Sequence, residues 1–102
     1  MNKQINAYIN TILPELISLR REIHRNPELS NKEIQTSKLI QQKLIANGIE
    51  AITIKANTGV TALIQGGQEG DTIAYRADLD ALPMEEKTGL TFSSQNESVM
   101  HA

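Results

Sequence analysis

The chain has 102 residues, and 10 Lys and Arg residues against 12 Asp and Glu residues give it a net charge of −2. This length limits it to one domain. The balanced charge provides no basic surface of the kind that binds nucleic acid. No apolar run approaches the roughly 20 residues of a membrane span. Hydrophobic residues make up 39% of the sequence, which is too many for a disordered chain. No cysteine is present, which excludes disulfides and thiolate metal sites within these residues and leaves a cytoplasmic location as the default expectation.

The first predicted element is an amphipathic helix over about Lys3–Arg25. Apolar residues recur there at steps of three, four and seven, which is the spacing of one helical face. Pro14 removes one backbone hydrogen bond inside this segment, so we expect a kink or a restart there. Asn26–Pro27 ends the helix because the residue before a proline avoids helical backbone angles.

A second helix is predicted from Ser30 to about Asn47. Ser30 and Glu33 have the spacing of a capping box, in which the serine oxygen accepts the third backbone N–H and the glutamate reaches back. Gly48 follows at the position where a left-handed residue commonly ends a helix. Both ends of this helix are therefore predicted from local sequence.

Three short strands and a loop-rich stretch are predicted after the helices. Apolar and polar residues alternate over 52–55, Val60–Gln65 is evenly apolar and is predicted to be buried on both faces, and Thr72–Ala77 is the third strand. A turn at 57–59 and a hairpin-type loop at 66–71 separate them, and residues 85–102 are predicted mostly as loop. The predicted fold class is α/β, with two N-terminal helices followed by three strands.

The carboxylate pair Asp78 and Asp80 lies directly after the third predicted strand. Side chains at a spacing of two share one side of an extended backbone, and in α/β sheets ligands bind beyond the carboxyl ends of strands. Close carboxylates favour a proton, a cation or an arginine between them. The alternative is a surface loop in which Arg76 neutralises both carboxylates, and the residues alone favour that alternative.

Two histidines are further candidates. His24 lies at the end of the first helix, where a capping or packed polar role is commoner than a ligand role. His101 has a side chain that titrates near neutral pH, but its position beside the last residue is typical of a frayed terminus. The glycines at 66, 67 and 70 are followed neither by a Lys-Ser/Thr pair nor by a helix, which favours a hairpin over a phosphate loop.

Several motifs occur in a fixed order along the chain. They are Arg20–Ser30, Thr36, Thr58–Val60, Tyr75–Pro83, Glu86 with Thr88–Leu90, Ser94 and Val99–Ala102. Together they resemble the N-terminal part of the metal-dependent amidohydrolases of the aminoacylase and hippurate hydrolase group. Relatives in this group include N-acetyl-diaminopimelate deacetylases and indole-acetyl-amino-acid hydrolases. The string from Arg76 to Pro83 is the most specific part, and the resemblance covers about residues 16–102.

The resemblance implies a longer enzyme that hydrolyses the amide bond of N-acyl amino acids of the hippurate or N-acetyl type. Such enzymes have a zinc-peptidase-like catalytic α/β domain with an inserted dimerisation domain. They bind two divalent metal ions, usually zinc, manganese, cobalt or nickel, which polarise the acyl carbonyl and activate a bridging water. Residues 1–102 are then expected to be the N-terminal portion of one catalytic domain. The implied partners are a small N-acyl amino acid and a second subunit, with no nucleic acid and no membrane.

The resemblance carries few site residues over to this chain. Asp80 matches a strand-end aspartate that lies behind the metal site and orients a ligand. Asp78 falls where many relatives have a metal-binding histidine, and no metal is assigned to it. His101 is expected near the site because the family continues from Met-His-Ala into a metal-binding Cys-Gly-His-Asp string. His24 and Glu28 match family positions without an assigned role.

The family's metal ligands lie outside these residues. They are the cysteine and histidine of that string, a Glu-Glu pair and two further histidines. We therefore expect no metal site within this chain and no hydrolase activity from the isolated polypeptide. The alternative is a stand-alone, non-catalytic α/β binding module derived from such an enzyme.

Overall fold

The computed structural model describes residues 2–53 and 58–102 of the chain. Within them, helix α1 spans Asn2–Arg25, helix α2 spans Ile34–Ala46, strand β1 spans Ala51–Thr53 and strand β2 spans Val60–Ala62. The two strands pair antiparallel, with residues 51, 52 and 53 opposite residues 62, 61 and 60. Helix α2 packs against both strands. The predicted order of two helices followed by strands is therefore confirmed.

Helix α1 has nearly the predicted bounds but does not restart at Pro14. The helix is continuous through the proline over Asn2–Arg25. Helical turns on both sides each add hydrogen bonds, and starting a new helix costs more than the one bond that proline removes. The apolar face of α1 stays uncovered in part, since several large aliphatic side chains are 40% to 48% exposed: Ile5, Ile9, Leu13, Leu16 and Ile17.

The start of α2 corrects the predicted capping box. Glu33 occupies the cap position without a side-chain bond to the helix end. The carboxylate of Glu28 provides the cap instead, accepting the N–H of Gln35 at 3.1 Å and both the N–H and the hydroxyl of Thr36 at 2.6 Å. Ser30 lies in a turn, so the helix begins beyond its reach. A charged acceptor also suits the positive end of the helix better than a hydroxyl does.

The end of α2 follows the prediction. Gly48 has a φ of +77°, a left-handed conformation that costs glycine little. Its N–H donates to the carbonyl of Ile45 at 3.0 Å, and the N–H of Ile49 donates to the carbonyl of Leu44 at 3.0 Å. This pair of bonds is a Schellman motif, which satisfies two carbonyl groups that the helix leaves without partners.

The predicted third strand over Thr72–Ala77 is wrong. The structure assigns no strand to this segment, and Ile73 and Tyr75 are 79% and 97% exposed. An extended segment becomes a strand only where a neighbour takes up its N–H and C=O groups, and no described strand pairs with this one. The loop at 66–71 is consequently not the turn of a hairpin.

The second strand is shorter than predicted, and the predicted end of the first cannot be compared. Residues 54 and 55 of the first predicted strand, and residue 57 of the predicted turn, lie outside the described residues. Strand β2 ends at Ala62, and Leu63 and Ile64 beyond it are 68% and 73% exposed instead of buried on both faces. Two short strands and one helix supply too little surface to cover both faces of this segment.

Three segments that are distant in sequence meet beyond the end of α1. The N–H of Ala81 donates to the carbonyl of Glu28 at 2.8 Å, while Leu82 and Met100 exchange two backbone hydrogen bonds of 2.9 and 3.0 Å. We call residues 28–29, 81–82 and 100 the backbone junction. Ala81, Val99 and Met100 are buried there, so the small apolar core of the described residues lies at this junction.

Removing the Glu28 cap tests this account of α2. Glu28→Ala should lower the free energy of unfolding by about 1–2 kcal/mol, because the helix start loses its acceptor. Glu28→Gln keeps one oxygen as an acceptor and should lower the free energy of unfolding by less than Glu28→Ala does. Urea unfolding followed by circular dichroism measures both variants. Glu22→Ala, which changes an exposed glutamate of α1, is the control. If Glu22→Ala lowers the free energy of unfolding as much as Glu28→Ala does, the proposed capping role of Glu28 is wrong.

Candidate functional site

Helix α1 ends in a histidine whose partner lies far along the chain. Nε2 of His24 lies 2.8 Å from Oε1 of Glu86, 62 residues later. The two side chains are only 10% and 3% exposed. The sequence favours a capping or packed polar role for His24, and this buried, hydrogen-bonded side chain has the packed polar role. Glu86 was visible only as part of the family resemblance, and its spacing from His24 carried no signal.

The Glu86 carboxylate is held by several donors at once. The hydroxyl of Thr88 donates to Oε2, and the N–H of Ser94 donates to Oε1 at 2.8 Å. These two hydrogen bonds, with a further contribution from His24, outweigh desolvation and place the pKa of Glu86 below its ordinary range. The carboxylate is therefore ionised at neutral pH and joins the end of α1 to residues 86–94.

Aromatic packing encloses the other side of His24. The ring of Phe92 meets the His24 ring edge-on, with centroids 5.8 Å apart and an interplanar angle of 77°. The guanidinium groups of Arg21 and Arg20 lie 4.7 and 5.8 Å from the Phe92 centroid, within the range of cation–π contacts. His24 is thus held between a carboxylate and an aromatic ring.

His101 lies at the junction, close to His24. The two ring centroids are 6.5 Å apart. Burial lowers the pKa of His101, the neighbouring His24 lowers it further, and the charge of Asp80 acts in the opposite direction. Nε2 of His101 is buried and has no hydrogen-bond partner among the described residues. His101 is therefore an ordered part of the fold and not a frayed end.

Asp78 and Asp80 differ in exposure and in their partners. Asp78 is paired with Arg76 at 2.7 Å, and these side chains are 64% and 86% exposed. The alternative interpretation has Arg76 neutralise both carboxylates, and the ion pair found here involves Asp78; such exposed pairs contribute little to stability. Asp80 is only partly exposed and directly precedes Ala81 of the junction. Of the two carboxylates, Asp80 is the one whose charge acts on the pKa of His101, whereas Asp78 lines a cleft together with that histidine.

Two clefts flank the motif that carries these aspartates. One has a volume of about 540 Å³ and is lined by both histidines together with Asp78 and Leu79. The other has a volume of about 810 Å³ and is lined by Glu33, Thr58 and all residues from Tyr75 to Asp80. The motif therefore forms a wall between two open spaces, which is where substrate-contacting residues are commonly found.

The larger cleft contains a second buried carboxylate. Glu33 is 6% exposed and accepts the hydroxyl of Thr58, and the carbonyl of Thr58 accepts the hydroxyl of Ser37. Burial by itself raises the pKa of Glu33. Hydrogen bonds from Thr58 and from the backbone N–H groups of Glu33 and Asn31 outweigh it and leave the pKa below its ordinary value. Glu33 thus connects α2 to the residues before β2.

The described residues do not form a metal centre. Within residues 2–53 and 58–102, no group of three or more His, Cys, Asp or Glu side chains is arranged to hold an ion. His101 and Asp80 together fall short of the three or four ligands that a metal site in a protein needs.

Over the same ranges, no helix is long and apolar enough to cross a membrane.

Comparisons with known proteins cover nearly the whole chain. N-acetyl-L-cysteine deacetylase of Bacillus subtilis is 46% identical over 94 residues, which are 92% of this chain and 23% of that enzyme. Hippurate hydrolase of Campylobacter jejuni is 41% identical in an alignment of 98 positions, which covers 89% of this chain and 26% of that enzyme. The solved structure of the Bacillus subtilis YXEP protein, a dinuclear metal binding peptidase from the M20 family, is 42% identical with a TM-score of 0.84.

The chain is homologous to metal-dependent amidohydrolases. The alignment with the M20 peptidase covers 90% of this chain and 26% of that structure, so the shared fold is that of one part of the peptidase. The chain accordingly spans about a quarter of the length of these relatives. No protein-family model matches it. The predicted resemblance and the α/β class are confirmed, whereas the roles of Asp78, Asp80 and His101 stay predictions.

The lowered pKa of Glu86 predicts a pH-dependent stability. The ordinary carboxyl value is 4.5, so the contribution of Glu86 is present in full above that pH and is lost as the pH falls through the lower folded value. The thermal midpoints of the wild type and Glu86→Gln should differ at neutral pH and converge in acid. Glu85→Gln, which changes the exposed neighbour, is the control. A constant difference at every pH would contradict the prediction.

Proposed function

We propose that this chain is the N-terminal portion of the catalytic domain of a metal-dependent amidohydrolase that cleaves N-acyl amino acids. The observation that carries this proposal is identity of 46% and 41% to a deacetylase and a hippurate hydrolase over about nine tenths of the chain. Both of these enzymes hydrolyse an amide that joins an acyl group to an amino acid. We include in the proposal a substrate of the N-acetyl or hippurate type, a cytoplasmic location and a homodimer formed through a further domain.

Exposed apolar surface supports the assignment to a larger domain. Leu63, Ile64, Ile73 and Tyr75 are 68% to 97% exposed on both sides of the glycine-rich loop. Large apolar side chains clustered in this way are usual at surfaces that another part of a protein covers. Relatives about four times as long have ample chain to cover them.

The positions of Asp80 and His101 support roles at the site. Asp80 is partly buried beside the junction, where a carboxylate could orient a ligand supplied by another part of the enzyme. His101, on whose pKa the charge of Asp80 acts, has a buried Nε2 without a hydrogen-bond partner among residues 2–53 and 58–102. Asp78, paired with Arg76 at the surface, also lies in the motif that lines both clefts, and we propose a smaller catalytic role for it. The two divalent metal ions of the proposal would take their ligands from outside the described residues.

The isolated polypeptide should be inactive. Purified with manganese or zinc, it should hydrolyse neither hippurate nor N-acetyl amino acids, because the described residues form no metal centre. The Bacillus subtilis deacetylase, assayed in the same buffer, is the positive control. Turnover by the isolated chain at enzymatic rates would contradict this prediction.

A chimaera tests the function itself. In this chimaera, residues 1–102 replace the matching quarter of the Bacillus subtilis deacetylase. The chimaera should keep metal-dependent amidohydrolase activity, since the two segments are 46% identical. A folded, metal-loaded chimaera without activity would instead favour a non-catalytic binding module.

Asp80 and Asp78 should differ in that chimaera. Asp80→Ala should lower kcat by about 10–100-fold, the effect typical of residues that orient metal ligands. Asp78→Ala removes an exposed ion pair and should lower kcat much less. Initial-rate kinetics at saturating substrate measure both variants, and equal losses would argue against the separate roles.

A further inference from the structure

We propose that Glu86 is a positioning residue, which acts through His24 to hold the His101 ring at the edge of the smaller cleft. The positioning of the His101 ring is argued from contacts within this chain. The effect of that positioning on catalysis rests on the proposed function. The first step is the carboxylate itself, which is 3% exposed and bonded to Ser94, Thr88 and His24. With these donors on both oxygens, the group has little freedom to rotate.

The second step is the tautomer of His24. An ionised carboxylate can only accept hydrogen bonds, so Nε2 of His24 must carry a proton in its 2.8 Å contact with Glu86. The edge-on ring of Phe92, 5.8 Å away, restricts the other side. Glu86 thereby determines both the protonated nitrogen and the orientation of the His24 ring.

The third step is the contact with His101. The two histidine rings are tilted by 37°, and both line the cleft of about 540 Å³ together with Asp78 and Leu79. The backbone of His101 follows Met100, which is fixed by its two bonds to Leu82. Within the described residues, Nε2 of His101 has no hydrogen-bond partner that would hold the ring. The neighbouring His24 ring, with its centroid 6.5 Å away, is the group through which Glu86 would restrain the His101 ring.

A simpler role for Glu86 would be to tie residues 86–94 to α1. The two roles predict different results when the ring of His24 is removed but a donor to Glu86 is kept. His24→Gln is such a variant, because its side-chain amide can still donate to the carboxylate. Under the positioning role, the His101 ring loses its single orientation in this variant and its ring signals broaden or split. Under the simpler role, the His101 ring keeps one orientation and gives one sharp set of signals, shifted only by the loss of the neighbouring ring.

The first test is nuclear magnetic resonance of the full 102-residue chain with ¹⁵N-labelled histidine. Glu86→Ala should remove the protonated Nε2 signature of His24 and shift the ring signals of His101, and His24→Gln should broaden or split the His101 signals. Glu86→Gln should restore them, because the amide oxygen still accepts a hydrogen bond. Glu85→Ala is the matched control and should change neither ring. Unchanged His101 signals in folded Glu86→Ala, or one sharp set of His101 signals in His24→Gln, would overturn the proposal.

The second test is kinetic and uses the chimaera described above. Glu86→Ala should lower kcat by about tenfold with little change in KM, and Glu86→Gln should recover most of that loss. Unchanged kcat in Glu86→Ala would overturn the catalytic part of the proposal. An inactive parent chimaera would count against the proposed function alone, since the resonance test decides the positioning role without any activity. If Glu86→Ala does not fold, His24→Gln and Glu86→Gln decide the proposal by the same signals.

Discussion

The backbone junction is the constraint on which the rest of this structure depends. Hydrogen bonds from Ala81 to Glu28 and between Leu82 and Met100 join three segments that the sequence keeps far apart. Buried backbone groups need partners, so once these segments meet they must pair with one another. The junction brings together the histidine motif at the end of α1, the aspartate motif and the Met-His-Ala string. His101 lies close to His24 and within the electrostatic influence of Asp80 for that reason.

Buried or partly buried carboxylates connect the loops around this junction. Glu28 accepts donors from the start of α2, Glu33 accepts Thr58, and Glu86 accepts Ser94, Thr88 and His24. A carboxylate has two oxygens and a full charge, so it can bind several donors with stronger bonds than a neutral acceptor could. This suits a chain whose buried apolar residues are few among those described. Residues that carry the family resemblance, including Thr36 and Ser94, therefore serve largely to hold loops in place.

The homology and the incomplete core have one common explanation in our proposal. The chain matches about a quarter of each relative, and large apolar side chains on α1 and beyond β2 remain exposed. Surface of this kind gains free energy when it is covered, in proportion to the apolar area removed from water. A catalytic centre built from residues of several segments would likewise need more ligands than the described residues bring together. Structure and relatives thus support the same larger enzyme.

Local interactions explain what the sequence determined by itself, and long-range pairing explains the rest. The sequence predicts the bounds of α1 from apolar periodicity and the left-handed Gly48 from its place at a helix end. It also predicts the family resemblance from short motifs. Each of these signals depends on residues close together in the chain. The cap from Glu28 could not be predicted, since Ser30 offered an equally good local pattern. Thr72–Ala77 had the composition of a strand but found no described partner, and a strand exists only by pairing. The contact of His24 with Glu86 spans 62 residues, and only the tertiary structure could decide it, because the distance in space of such a pair depends on every segment folded between them.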